Sequence, residues 1–389
     1  MQSKFIESAS NTLLLLLFFM AAVSYNGKLF GYKSQDLLSG KKEFVEILPP
    51  THTQLEHLGL ENMQLEEDSK GIWRIKNSSE NERVVNTLAF SKGIYGFGGP
   101  IPMYLYLDKS NTIKQIVLGE NSETPDFLAS VLQDGIVSQW LGKNTEKMSN
   151  IMPDALSGAT MTSNAINFSI QKTLDVVDNK SSSRYWWTVL DIKTIIALLV
   201  IFLGLIISSI KSKKKKHLRT AMLVLNTGVL GIWCGKFISL NILLGWVANG
   251  MNLLTSGVVF LMLLLSVLMP LFFKNKKSYY CNWICPFGSA QELAGRLSKK
   301  KIKIGAKFMQ ILKHTREVIT LCVFVGMWLG MASDIANYEP FSAFIFQHAS
   351  VAVLLIAGLG MLTAVFISRP WCRFVCPTGQ VLSWMNKMN

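Results

Sequence analysis

Asp154-Ala155-Leu156-Ser157-Gly158-Ala159-Thr160, followed by Met161-Thr162-Ser163, is the stretch around which the rest of the chain is arranged. Its residues are small, so the backbone can lie close against a planar ring or a phosphate, and Thr160 offers a hydroxyl that a phosphate can esterify. By spacing alone, such a run is more often an ordinary turn or the start of a helix. Its surroundings read as a folded domain. Ile101 to Asp108 and Thr112 to Leu118 are expected strands around a Lys109-Ser110-Asn111 turn, while Pro125 to Trp140 and Ser163 to Val177 carry apolar residues at helical spacing. The expected fold is α+β with a twisted antiparallel sheet; the segment from Gly40 to Arg83 is too irregular to assign.

Half of the residues are apolar, yet the net charge is +14, which favours a polytopic membrane protein over a nucleic-acid binder. Lys33 to Arg184 holds 15 basic and 19 acidic residues, and the remainder holds 24 basic and 6 acidic ones, mostly beside apolar runs. Leu13 to Val23 is short for a span and has the length of a secretory core; it is taken here as a retained anchor extending to Phe30. Five further spans are expected at Ile192 to Ile210, Leu218 to Phe237, Leu253 to Phe273, Val318 to Ala332 and Val351 to Ser368. The chain thus divides into an anchor (1–31), a soluble domain (32–185) and a helical membrane domain (186–389). Basic residues Lys211, Lys213 to Lys216 and Arg219 place the loop after the second span in the cytoplasm. Alternation then puts the soluble domain outside, Lys274 to Lys313 inside, and both termini inside a bacterial inner membrane.

The last four spans form a duplicated unit. His217-x-Arg219, Trp233 and Cys281-x-x-x-Cys285-Pro286-x-Gly288 recur as His314-x-Arg316, Trp328 and Cys372-x-x-x-Cys376-Pro377-x-Gly379. Cys281, Cys285, Cys372 and Cys376 supply the ligand count of an iron-sulfur cluster or a closed zinc site. Proline after each second cysteine suits a first helical turn, so both motifs are expected at helix N-termini, where the dipole favours thiolate, with Arg373 as a nearby cation. Cys234 and Cys322 read as apolar residues within spans, His217 and His314 as interfacial anchors, His348 as a loop residue, and Lys213 to Lys216 as a headgroup and topology signal before a docking patch.

Tyr95-Gly96-Phe97-Gly98-Gly99-Pro100-Ile101, Glu123-Thr124-Pro125 and Asp154 to Thr160 occur in the order of the FMN-binding domain found in subunits of sodium-pumping quinone reductases, in Rnf complexes and in NosR-like membrane proteins, and the region resembles that family. The resemblance implies FMN joined to Thr160 by a phosphoester, with Asp154, Ser157, Gly158, Ala159, Glu123, Thr124, Gly98 and Gly99 around it, and a flavin transferase for maturation. Asn121-Ser122 and Asp126-Phe127 stand where the family often has His and Gly-Leu-Gly. The twin cysteine motifs resemble those of NosR- and NapH-type proteins, which usually continue into a ferredoxin segment.

The expected function is electron transfer from a soluble cytoplasmic donor, through an iron-sulfur site, to the external flavin and then to an extracytoplasmic reductase or acceptor. The rival readings are a NosR-like regulatory or maturation factor and a structural or transport subunit with a vestigial flavin. A hydrocarbon layer about 30 Å thick stands between the two sites. A cluster sunk among the spans, a flavin domain docked on the outer segments near Trp246 and Tyr338 to Phe346, or an extra carrier would bridge it.

Overall fold

The computed structural model describes residues 12–23, 28–29, 32–33, 47–61, 63–76, 82–144, 160–178, 192–210, 215–250, 253–273, 278–298, 301–302, 305–329, 339–344 and 349–387. Helix α1 covers Thr12–Val23. It does not run on to Phe30: β1 (Lys28–Leu29) pairs antiparallel with β2 (Tyr32–Lys33).

The soluble domain is α+β, as expected. A short helix α2 (His52–His57), begun by a capping box at Thr51 and Gln54, precedes the strands β3 (Leu65–Ser69), β4 (Ile72–Ile75), β5 (Arg83–Asn86), β6 (Met103–Leu107) and β7 (Ile113–Leu118). These form an antiparallel meander in chain order, so part of the unassigned 40–83 segment is regular after all. Alternation along β6 sorts its two faces. Met103, Leu105 and Leu107 enter the main core with Phe127 and Val131 of α3 (Pro125–Gln133) and Ile166, Ile170 and Leu174 of α4 (Thr160–Val177). Tyr104 faces a second cluster with Leu58, Leu60 and Trp73. The β6–β7 turn is held by Asp108, whose Oδ1 accepts from the N–H groups of Ser110 and Thr112 at 2.8 Å each, with Asn111 in the left-handed region. Gly135, at φ +73°, ends the expected Pro125–Trp140 helix early.

The apolar segments are all helical. In order they are α5 (Ile192–Ser209), α6 (Lys215–Leu225) continued by a π-helical stretch (Asn226–Trp233), α7 (Leu240–Asn249), α8 (Leu253–Phe272), α9 (Tyr279–Trp283), α10 (Pro286–Gly295), α11 (Ala306–Trp328), α12 (Val351–Phe366), α13 (Pro370–Phe374) and α14 (Pro377–Lys387). Among the described residues, α5 alone is long and apolar enough to cross a membrane; α1, the Ser256–Pro270 part of α8, and α12 are shorter apolar helices. The sequence duplication is a structural one. Helix α10 packs on α6 of its own unit and α12 of the other, while α14 packs on α11 of its own unit and α8 of the other. Both units enter the motif through a left-handed residue, Ser278 (φ 54°) and Arg369 (φ 50°).

The two parts meet along α7. Asn241 Nδ2 donates to Thr124 Oγ1 at 2.8 Å, and the Gly98 carbonyl lies so close to Gly245 that a Cβ there would stand 2.8 Å from the oxygen. On the domain side, a Cβ on Gly98 would fall 1.9 Å from the Ser122 carbonyl oxygen. Gly98→Ala is therefore expected to cost on the order of 3 kcal/mol or more, and Gly59→Ala, at φ +74° but in open space, about 1 kcal/mol. Thermal midpoints of the two variants in detergent check this order.

Candidate functional site

Glu123 organises the flavin-side half of the site. Its side chain is buried, and both oxygens are occupied: Oε1 accepts from the Gly98 N–H at 2.6 Å and the Gly99 N–H at 3.3 Å, and Oε2 accepts from Thr162 Oγ1 at 2.6 Å. Burial pushes the carboxyl upward, and these donors oppose that shift. The expected site residues Gly98, Gly99, Glu123 and Thr124 are thus brought together and tied to the first turn of α4, which begins at Thr160. Asp154, Ser157, Gly158 and Ala159 lie outside the described residues.

The thiol half is built from two short helices joined to longer ones. Cys285 and Cys376 are buried, and each sulfur accepts the N–H of the glycine in its own motif, Gly288 at 3.4 Å and Gly379 at 3.2 Å. Both motifs therefore stand at helix N-termini, as the prolines predict. Cys281 and Cys372 are half-buried and line a cavity of about 640 Å³ with Arg316, Arg369, Glu292 and Gln380. A Cβ on Gly288 would stand 2.9 Å from the Cys281 carbonyl oxygen, so this glycine lets the start of α10 lie against the turn that carries Cys281.

Electrostatics tie the four sulfurs together. Burial raises each thiol, and a negative charge on one of them raises others further. Arg316 and Arg369 act the other way on Cys281. Arg373, the expected cation, lines the same cavity; it is exposed and donates to the Ser368 carbonyl at 3.4 Å. Among the described residues no three metal-binding side chains stand close enough to grip a single ion. Four cysteines from two matching motifs, with N–H donors to sulfur and arginines nearby, are a donor set that fits an iron-sulfur cluster.

Arginine also supplies what the short helices lack. Arg369 Nη1 donates to the Cys281 carbonyl at 3.1 Å and to Asn282 Oδ1 at 2.6 Å; Arg316 Nη1 donates to the Cys372 carbonyl at 3.0 Å. Arg219 stacks on Trp283 at 4.3 Å and pairs with Glu292 at 2.8 Å, and Glu292 also pairs with Arg369. Burial opposes ionisation of Glu292, but the two guanidiniums prevail and hold its pKa at about 2. The His-x-Arg repeat marked Arg219 and Arg316 without revealing these roles. His314 points outward beside Glu317, Cys322 is exposed, and Cys234 is buried.

The Tyr338 to Phe346 segment, expected as a docking surface, supplies Glu339 and Phe341 to the space between the halves, whereas Phe97, Phe237 and Phe287 carried no such signal. Phe97 meets Phe237 at 5.6 Å between ring centres, Phe237 stacks on Phe341 at 5.0 Å, Phe341 meets Phe287 at 6.2 Å, and Phe287 meets Trp371 at 6.4 Å. Alongside this row, Glu339 is buried, accepting from the Leu240 N–H at 2.7 Å and from Thr378 Oγ1 at 2.5 Å. The Ile238 N–H donates at 2.7 Å to the hydroxyl of Tyr280, which adjoins Cys281.

Comparisons with known proteins agree with both halves. Residues 96–175 match the FMN-binding domain family, and residues 255–305 and 349–389 match the 4Fe-4S binding domain family. Similar proteins include YccM of Escherichia coli (strain K12), named for electron transport, which is 27% identical over 27% of this chain and 33% of its own length. The protein NirI of Paracoccus denitrificans is 29% identical over 36% of this chain and 25% of its own length. The regulatory protein NosR of Pseudomonas aeruginosa is 28% identical over 28% of this chain and 16% of its own length. The chain therefore spans at most about a third of these relatives. No solved structure matches it.

Glu292→Gln is expected to destabilise the chain by on the order of 2 kcal/mol at neutral pH, a figure reduced for the partial exposure of the pair. Because the folded pKa lies near 2, below the ordinary 4.5, the carboxylate's contribution is full above pH 4.5 and disappears as pH falls towards 2. Thermal midpoints of wild type and variant across that range should converge on the acid side; a constant gap would contradict the ion-pair assignment.

Proposed function

We propose that this chain, in which an FMN-binding domain precedes a NosR-like 4Fe-4S binding domain, carries electrons across the bacterial inner membrane. They would travel from a soluble cytoplasmic donor to an extracytoplasmic reductase or acceptor. Bound FMN and an iron-sulfur cluster would supply the redox chemistry, and the protein positions and tunes them. Thr160 would carry FMN through a phosphoester, within a loop of Asp154, Ser157, Gly158 and Ala159 supported by Glu123, Thr124, Gly98 and Gly99. Cys281, Cys285, Cys372 and Cys376 would hold the cluster.

The observation that carries this reading is the contact between the two halves along α7. Ring-to-ring steps of 5.6, 5.0 and 6.2 Å lead from Phe97, beside the flavin-side glycines, to Phe287, which follows Cys285 and Pro286. Such steps are short against a hydrocarbon layer of about 30 Å. A thiol site sunk among six spans, with the flavin domain seated on the outer segment, removes the need for an extra carrier. The basic Lys213 to Lys216 run supports a cytoplasmic loop there, and so a flavin domain outside. The likeness to NosR supports a second reading, a regulatory or maturation factor for an exported metalloenzyme. Turnover with an external acceptor separates the two.

Two variants test the cofactor assignments. With a flavin transferase coexpressed, the wild-type chain should keep flavin fluorescence through denaturation and electrophoresis, and Thr160→Val should abolish it. Cys285→Ser should remove most bound iron and the cluster's EPR signal while leaving the fluorescence intact. Covalent flavin in Thr160→Val, or full iron in Cys285→Ser, would contradict the respective assignment.

A further inference from the structure

The duplication makes the two cysteine motifs equivalent in chain trace but not in their donors to sulfur. Each unit supplies one backbone N–H to its own second cysteine, from Gly288 and from Gly379. Among the described residues the side-chain donor to sulfur comes from the first unit: Gln291, fully buried on α10, reaches into the other unit, and its Nε2 donates to Cys372 Sγ at 3.3 Å. Its amide is fixed in that sense. Oε1 accepts from the Trp371 N–H at 3.1 Å, and Nε2 also reaches the Phe287 carbonyl at 3.4 Å. A flipped amide would set its NH₂ against the Trp371 N–H and its oxygen against the carbonyl and the sulfur. At the matching position after Cys376 stands Leu382, which has nothing to donate.

A donor to a thiolate ligand stabilises the more negative, reduced state of a metal-sulfur centre, and hydrogen bonds to sulfur are among the factors that set such potentials. We propose that Gln291 is a positioning residue that raises the reduction potential of the thiol-bound centre by donating to Cys372 Sγ. The proposal rests on the iron-sulfur reading above. Its effect is electronic as well as structural, because the amide meets the sulfur directly and braces the backbone beside it through Trp371.

The test uses the full chain in detergent, with iron content measured first and the midpoint then followed by EPR-monitored redox titration. Gln291→Leu should lower the midpoint, with the reduced-to-oxidised ratio at a fixed potential falling about tenfold, which for one electron is about 59 mV. Gln291→Met keeps much of the side chain's length without a donor, and should lower the midpoint as well. Leu382→Gln should raise it by supplying a donor on the opposite side. Full iron with an unchanged midpoint in Gln291→Leu overturns the proposal. If Gln291→Leu loses its iron, Gln291→Met decides: a midpoint unchanged in that variant overturns it equally. An iron-free wild-type chain would instead overturn the cluster reading itself.

Discussion

The last turn of a helix ends in carbonyls that have no intrahelical partner. Helices α9 and α13 each run for only five residues before their cysteine turn, so their carbonyls must be met from elsewhere. Arg369 meets Cys281, Arg316 meets Cys372, and Arg219 meets Asn282. Those guanidiniums in turn need a counter-charge, which Glu292 provides to two of them. Two of these cations, Arg316 and Arg369, oppose the upward pull of burial on the Cys281 thiol. Satisfying the backbone and preparing the sulfurs for metal are therefore one arrangement.

The seam follows from a second shortage. Glu339 is a buried carboxyl whose pKa burial pushes to about 7, opposed by the donors it meets. One donor is the first turn of α7, and the other is Thr378, two residues after Cys376. One residue further along α7, Asn241 grips Thr124, the neighbour of Glu123. The thiol helices and the flavin-side loop are consequently held to the same short helix. Phe237 and Phe341 stack in the space between them.

Much of this was readable in advance, and the omissions have physical causes. Apolar runs located every long helix, and the repeated Cys-x-x-x-Cys-Pro spacing located both N-terminal turns, because proline and helix dipole act locally. The Ser278 and Arg369 conformations were invisible, since neither residue type signals a left-handed backbone. Gln291 reaches a sulfur 81 positions away, and Glu339 joins partners 99 and 39 positions away, separations no periodicity encodes. The anchor was drawn too long because a two-residue hairpin leaves almost no alternation to detect. Arg373, the cation visible beside Cys372 in the sequence, lines the thiol cavity, whereas Arg369, which reaches the Cys281 carbonyl 88 positions away, carried no such signal.

The central claim is that one chain holds its thiol site and its flavin site in a single rigid frame. The most direct measurement is the rate of flavin reduction after rapid anaerobic mixing of the cofactor-loaded chain with a limiting one-electron donor, followed across a wide dilution series. The seam predicts a first-order rate independent of protein concentration, lowered at least tenfold when Gly245→Leu forces the Gly98 carbonyl away. A rate proportional to concentration, or one unmoved by Gly245→Leu, would mean that the flavin is reached by another route and that the contact along α7 is not the path.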